Sequence, residues 1–544
     1  MNPIVKDVLL QLQKPDNTTI SLPESFNFGF DVIDYAADNH DKTAYIEVSG
    51  DGEHTTHHSF SELKRRSNQV AAALRAIGAE RGEFAVVVLP RIPAWYEVII
   101  GCAKCGVVSM PGTNLLTAND LKYRINKAYA TTVIVTPEHV EKIEKVRSEC
   151  PTLKHFIVVN TSTSPDNGWL KYEAIIAAAS DEFSREPNSS EDMLMAYFTS
   201  GTTAEPKLVP RDHGYALAHL TTGAFWLDQK STDIHWTLSD TGWAKAAWGM
   251  LFAPWLLDST MVLYNGGDFD KELHLNLIKK LKVTTFCAPP TVFRLFAQMD
   301  LAPFDLSTIR HTTSAGEPLN PEVIRIWEDA TGTTIHDGYG QTETVNIVAN
   351  RLGLEVRHGS MGKPAPGFHV DVIDDDGVCC AQDEIGHIAV KLTQPTPIGL
   401  FNGYYDSPTQ LNKSAFKNGW YYTGDTATKD ADGYIWFVGR SDDIISSAGY
   451  RISPFEVESV LLEHSDIVES AVVAKPDEIR GHIVKAFVVL KEGVAPSDEL
   501  TVQIQQFVKK ATAPYKYPRE IEYLDSLPKT ISGKIRRVEL REQG

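Results

Sequence analysis

The sequence predicts an α/β protein, with a large N-terminal region of stacked βαβ sheets and a small α+β unit after it. Three observations predict this. The chain has 544 residues, too many for one ordinary hydrophobic core. Apolar strands alternate with amphipathic helices in two separate series, the rhythm of mostly parallel sheets covered on both faces. The texture then changes after Gly439-Arg440, where a shorter α+β pattern begins.

In the first series, Ser59-Phe-Ser-Glu62 has the spacing of a capping box and opens a helix that Gly78 closes. Strand-like Ala85–Leu89, a helix through Tyr96–Cys105 and strand-like Val107–Pro111 follow. Strands are predicted at Thr132–Val135 and Phe156–Val159, around a helix at His139–Cys150. The second series runs from about 260 to 340: strands Met261–Tyr264, Val283–Ala288, His311–Ala315 and Thr334–His336, with helices Lys271–Lys282, Thr291–Met299 and Pro321–Ala330 between them. Two such series suggest two similar sheets stacked in one region. In the last unit, Ser453-Pro454 places an N-cap before proline at the first helical position. Strands Val468–Ala474 and Ile483–Leu490 and a helix near Ser497–Lys510 complete a normal small-domain length. The expected division is 1–440 and 441–544.

Composition excludes several classes. A net charge of −19 argues against nucleic acid as a partner, so anionic ligands must meet local positive charge. Six cysteines make no disulfide scaffold, and Cys102-Ala-Lys-Cys105 sits in an apolar run that reads as core. No apolar stretch is long and charge-free enough to span a bilayer. Reduced thiols and an N-terminus without a signal or transit pattern lead to a cytoplasmic expectation.

Six segments carry chemistry. Thr199-Ser-Gly-Thr-Thr-Ala-Glu-Pro-Lys207 packs hydroxyls, a glycine and a lysine into nine residues, as a polyphosphate wrap or a polar loop would. His336-Asp-Gly-Tyr-Gly-Gln-Thr-Glu343 follows a strand directly, where ligands of open α/β sheets sit. There Glu343 offers a hard oxygen for Mg²⁺, Thr342 a hydroxyl and Tyr339 a flat ring. Ser314-Ala-Gly-Glu-Pro318 ends the preceding strand, so the two loops should be neighbours. Tyr422-Thr-Gly-Asp425 supplies a carboxylate of the kind that receives ribose hydroxyls, or an ordinary turn. Gly439–Arg451 and the loop Pro528–Lys534 add charged residues at the expected boundary and near the C-terminus.

In this order the motifs resemble the adenylate-forming (ANL) superfamily, which contains acyl-CoA synthetases, peptide-synthetase adenylation domains and beetle luciferase. The resemblance covers nearly the whole chain. It implies a distorted β-barrel beside the two sheets and a C-terminal domain that is mobile. It also implies roles. Thr199, Ser200, Gly201, Thr202, Thr203 and Lys207 would form the phosphate loop. Gly316, Glu317 and Pro318 with Asp337, Gly338 and Tyr339 would line the adenine pocket. Thr342 would touch the α-phosphate, Glu343 would bind Mg²⁺, and Asp425 with Arg440 would hold the ribose. Asp442 would be the hinge, Arg451 a phosphate contact, Gly449 the pantetheine passage and Lys534 the catalytic lysine. One departure stands in the phosphate loop, which reads Ala204-Glu-Pro-Lys207 where the family has glycine at the first of these positions.

The nearest likeness is the medium-chain acyl-CoA synthetase group, through Ser239-Asp-Thr-Gly-Trp243 and Gly439-Arg-Ser-Asp-Asp-Ile-Ile445. Acetyl-CoA synthetases of the superfamily carry tryptophan where this chain has Gly340, so a deeper pocket is implied, with Trp243, Trp248 and Val345 as further walls. The expected activity is an ATP-dependent acid–CoA ligase acting on medium-chain or aryl acids with ATP, Mg²⁺ and coenzyme A, as a monomer or homodimer. Rival readings are an adenylation enzyme that loads a carrier protein, a luciferase-like oxygenase and a non-catalytic binding homologue.

Overall fold

Two large sheets share one core. The computed structural model describes the chain apart from residues 16, 163–166, 200–205, 408, 442, 448–449, 478–479, 530–534 and 544, and apart from the side chains of Gln410 and Arg451. A nine-stranded sheet runs in the order Lys363–Pro364, Asn346–Ala349, Ile335–Gly340, His311–Ala315, Thr285–Ala288, Ile234–Thr237, Thr260–Tyr264, Thr43–Val48 and Thr55–Ser59. A seven-stranded sheet runs Trp169–Lys171, His155–Val158, Thr132–Val135, Phe84–Val88, Val108–Pro111, Met193–Thr199 and Lys207–Asp212. The centre of each is parallel.

Strand alternation decides which residues meet. Ala85 and Val87 join the core shared with Tyr45, Met261 and Leu263 of the other sheet, while Phe84, Val86 and Val88 face an outer core. Ile46, Val262 and Trp236 face a second outer core on the far side of the nine-stranded sheet. Helices Phe60–Ala76, Pro93–Cys105 and His213–Phe225 fill the shared layer. Cys102 and Cys105 lie buried in the second of these helices.

A third, five-stranded sheet joins Val370–Ile373, Gly386–Lys391, Trp420–Lys429, Phe416–Lys417 and Ile435–Arg440 through antiparallel pairs. From Ile445 to Val508 a separate apolar cluster gathers Val457, Leu461, Val472, Val484 and Ile504. It lies between helices Pro454–Leu462 and Asp498–Ala511 and the sheet Ile467–Asp477, Gly481–Leu490, Glu520–Tyr523.

Two local expectations change. Ser59 does cap its helix by accepting from the Glu62 N–H at 3.1 Å, but the Glu62 carboxylate turns to His58 instead of closing a capping box. A reciprocal box forms at Thr117 and Asp120, a site the apolar pattern passed over. The strand that enters the His336–Glu343 motif runs on to Gly340, because Asn346–Ala349 pairs with it antiparallel. That long-range pairing outweighs the poor strand propensity of two glycines.

Candidate active site

A cavity of about 850 Å³ lies between the five-stranded sheet, the edge of the nine-stranded sheet and the C-terminal unit. Among the predicted residues it is lined by Thr199, Lys207, Gly316, Glu317, Pro318, Asp337, Gly338, Tyr339, Thr342, Glu343, Asp425 and Arg440. Its apolar side holds Trp243, Trp248 and Gly340.

Thr199 and Lys207, the ends of the first motif, lie on the two arms of a hairpin. Strands Met193–Thr199 and Lys207–Asp212 pair antiparallel with Thr199 opposite Lys207, so both ends of the motif are held side by side at the cavity. Ser200, Gly201, Thr202 and Thr203 fall outside the described residues.

The second motif is a hairpin as well. The Thr344 N–H donates to the Gln341 carbonyl at 3.2 Å and the Gln341 N–H to the Thr344 hydroxyl at 2.9 Å. Thr342 and Glu343 are therefore the two central residues of a closed turn, aimed at the cavity. Gly338 is required by crowding, since a Cβ there would stand 2.4 Å from the Asn346 amide nitrogen and 2.6 Å from the Trp226 ring. Parallel register puts Ser314 beside Asp337 and Ala315 beside Gly338, so the loop at Gly316–Pro318 is the expected neighbour. Gly316 has φ +110° with open space around it, a conformation that favours glycine.

Each carboxylate has its own environment. Glu343 is buried, which pushes its pKa up; the Tyr404 hydroxyl donates to it at 2.8 Å and, with Lys207 and Arg211, opposes that rise. The Lys207 ammonium lies 5.0 Å over the same Tyr404 ring. Asp425 accepts from the Tyr339 hydroxyl at 2.5 Å and from the Gln341 amide at 2.7 Å, with Arg440 3.7 Å away. Asp337 is pushed up to about 8 by burial, against the pull of the Gly338 N–H and the Lys245 charge. Glu317 is bridged by Arg294 at 2.8 Å.

A single carboxylate beside a lysine fits Mg²⁺ carried on substrate phosphates, a cation that normally takes one or two carboxylates and keeps its other oxygens from phosphate and water. Among the described residues no group of three His, Cys, Asp or Glu side chains stands ready to cage a metal alone.

On the apolar side, Gly340 makes room for Trp248: a Cβ would stand 2.6 Å from the Trp248 ring and 2.2 Å from the Val345 carbonyl. Val345 is fully buried behind this wall and does not line the cavity. Trp243 is placed by Gly242, whose missing Cβ lets the chain come within 2.1 Å of the Thr113 nitrogen from that virtual atom. Asp240 ties the same turn by accepting from the Gly242 N–H and the Thr113 hydroxyl.

From the C-terminal unit, Lys529 and Ile535 pair in an antiparallel bridge and both line the cavity. Lys534 lies between them, outside the described residues, as do Asp442 and Gly449; Arg451 is described only as backbone, in strand Tyr450–Ile452. Sequence reasoning missed Gln341, Tyr404, Arg211 and Lys245. The first three orient Asp425 and Glu343, and Lys245 donates to the Ala315 carbonyl at 3.1 Å. Gln341 stood inside a motif already quoted; the others had no local signal.

Comparison with known proteins gives these motifs their setting. Residues 33–405 match the AMP-binding enzyme family and residues 456–534 its C-terminal domain. The chain is 42% identical to human acyl-coenzyme A synthetase ACSM4, mitochondrial, over 96% of this chain and 91% of that protein. It is 40% identical to Mus musculus acyl-coenzyme A synthetase ACSM3, mitochondrial, over 96% and 91%. The crystal structure of the anthranilate CoA ligase AuaEII in complex with anthranoyl-AMP superposes with TM-score 0.88 at 31% identity, over 96% of this chain and 98% of that one. The mitochondrial relatives overturn the cytoplasmic expectation, which rested on reduced thiols, allowed in any reducing compartment, and on the pattern of the N-terminal residues. Matched along both regions in order, the chain belongs to the AMP-binding enzyme family.

Proposed function

We propose that this cavity activates a monocarboxylate as its acyl-adenylate and then delivers the acyl group to coenzyme A. The chain is an ATP-dependent acyl-CoA synthetase that forms AMP, using ATP and coenzyme A with Mg²⁺. The observation that carries the site reading is the meeting of Lys207, Glu343 and Asp425 with both flanks of the Lys534 loop on one cavity.

The chemistry brings anions together, so its main demand is charge stabilisation and positioning. Residues 199–207 wrap the phosphates, with Lys207 as their cation. Gly316–Pro318 and Asp337–Tyr339 enclose the adenine. Asp425, held by Tyr339 and Gln341, receives the ribose hydroxyls beside Arg440. Thr342 donates to the α-phosphate, and Arg451 and Lys534 bring positive charge to the carboxylate and phosphate. Glu343 would hold Mg²⁺, which would supply positive charge to offset that of the phosphates. For the thioester step residues 441–544 turn about Asp442 as a unit separate from 1–440, withdrawing Lys534 and presenting Gly449 to the pantetheine arm.

Trp243, Trp248 and Gly340 support a medium-chain aliphatic or an aryl acid, and AuaEII, the anthranilate CoA ligase, favours including aryl acids. One chain supplies the whole set of groups, so a monomer or a homodimer satisfies it. The test is pyrophosphate release across acids from acetate to decanoate and substituted benzoates, with and without coenzyme A. Turnover that needs coenzyme A and peaks among medium or aryl acids is expected. Pyrophosphate release indifferent to coenzyme A would instead favour a carrier-protein acceptor.

A further inference from the structure

Arg211 lies on strand Lys207–Asp212, four residues beyond the phosphate-loop lysine, and is 2% exposed. A guanidinium this deep is costly unless a carboxylate pays for it. Here its hydrogen bonds run to main-chain carbonyls, that of Glu343 at 2.8 Å and that of Gly399. Its Nε is buried without a partner. Its guanidinium carbon lies over the Tyr215 ring, 4.0 Å from the centroid.

Tyr215 leads to the other half of the site. Its hydroxyl accepts from the Trp248 indole N–H at 3.2 Å, and Trp248 is the ring seated against Gly340 on the acid side of the cavity. One cation therefore touches the backbone of the turn that carries Glu343 and, through one aromatic ring, the wall of the acid pocket. A tie to two carbonyls alone would be met more cheaply by a neutral amide. A rigid, planar group that donates on one edge and stacks on its face serves both contacts at once.

We propose that Arg211 is a positioning residue that holds the Glu343 turn and the Trp248 wall in register, so that the acid and the metal-bound phosphate meet at reacting distance. This rests on the roles proposed above for Glu343 and Trp248. Misplacement by about 1 Å can cost about a hundredfold in rate.

The test compares Arg211→Lys with Tyr215→Phe in the full-length protein. Arg211→Lys keeps the charge but loses the fork. It is expected to lower kcat for ATP–pyrophosphate exchange more than it raises KM for ATP. It should also raise the Mg²⁺ concentration at half-maximal rate and weaken the thermal stabilisation given by Mg²⁺ with a non-hydrolysable ATP analogue. Tyr215→Phe leaves the ring under the guanidinium and frees Trp248, so it should redistribute the acid preference while leaving the Mg²⁺ dependence as in the wild type. Wild-type Mg²⁺ dependence in Arg211→Lys together with a wild-type acid profile in Tyr215→Phe would overturn the proposal. Should Arg211→Lys fail to fold, Tyr215→Leu, which removes the ring under the guanidinium and keeps Arg211, decides in its place: wild-type Mg²⁺ dependence together with a wild-type acid profile would overturn the proposal. A wild-type protein that exchanges no pyrophosphate with any acid would defeat the reading of the site itself, a different failure.

Discussion

The two walls of the cavity are built differently. On the N-terminal wall, polar groups are fixed by partners from distant strands: Tyr339, Gln341 and Tyr421 converge on the 341–425 region, and Tyr404 and Arg211 hold Glu343. On the C-terminal wall, charges are satisfied within their own unit. Arg537 pairs with Glu458 at 2.8 Å, Lys529 with Glu469 at 2.6 Å and Arg541 with Asp443 at 2.8 Å. The walls touch through Asn320 to the Ser459 carbonyl, Ser453 to the Val438 carbonyl, and the Phe437 and Phe455 rings. A wall that needs distant strands cannot move without losing its geometry. A wall that neutralises itself can leave and return intact, which is what the proposed turn of residues 441–544 between the two steps requires.

The largest expected effect divides the two walls most sharply. Lys534→Ala should lower ATP–pyrophosphate exchange by about 10²- to 10³-fold, the usual cost of one charge-stabilising donor. Thioester formation from a supplied acyl-adenylate should stay near wild type. Equal loss in both half-reactions would mean that the C-terminal wall does not change its face. On the fixed wall, Gly242→Ala pushes a Cβ to 2.1 Å from the Thr113 nitrogen, a backbone contact with no flexible side chain to yield. Denaturant unfolding should show about 1–3 kcal/mol of destabilisation, as overpacking does. A neutral result would mean that the turn before Trp243 is not held against Gly112-Thr113.

Asp337 sharpens the same contrast through pH. Its folded pKa is raised to about 8 by burial, far above the unfolded value near 3.8. The native state therefore keeps a proton that the unfolded chain has released, and stability falls as pH rises from about 4 to about 8. Asp337→Asn removes the titration, so its thermal midpoint should decline less than that of the wild type across this window. Parallel declines would show that Asp337 ionises at an ordinary pH in a solvated pocket.

Much of this was readable because neighbours in sequence are neighbours in the site. Thr342 and Glu343 stand at the centre of one turn, and parallel register sets Ala315 beside Gly338, one residue before Gly316, without any further information. Strand Thr132–Val135 was predicted end to end, since a four-residue apolar run buried on both faces leaves one period. What escaped depends on long-range partners. Tyr404 and Arg211 act on Glu343 from 61 and 132 residues away, and no local pattern reports such a contact. Val345 looked like a wall by its place two residues after the His336–Glu343 motif, yet antiparallel pairing at Gly340 and Asn346 turns it behind the wall. The five-stranded sheet from 370 to 440 was expected only through the family resemblance, as the distorted β-barrel, because its antiparallel strands are broken by glycines and turns, with no βαβ rhythm to announce them.

The smallest effect tests the seam itself. Ser453 does two things: its hydroxyl accepts from the Glu456 N–H at 3.1 Å, capping helix Pro454–Leu462, and it donates to the Val438 carbonyl across the seam. Ser453→Ala removes both, and Ser453→Gly should restore most of the cap's share, since glycine is a tolerable cap and alanine is not. The alanine variant should lose about 1 kcal/mol by denaturant unfolding. If the seam contact also restrains the movement of the unit, alanine and glycine should share one change that the cap cannot explain: faster proteolysis between 440 and 453. A glycine variant cleaved at the wild-type rate would leave Ser453 as a helix cap alone, and the restraint on the C-terminal wall would then rest with Asn320 and the Phe437–Phe455 contact.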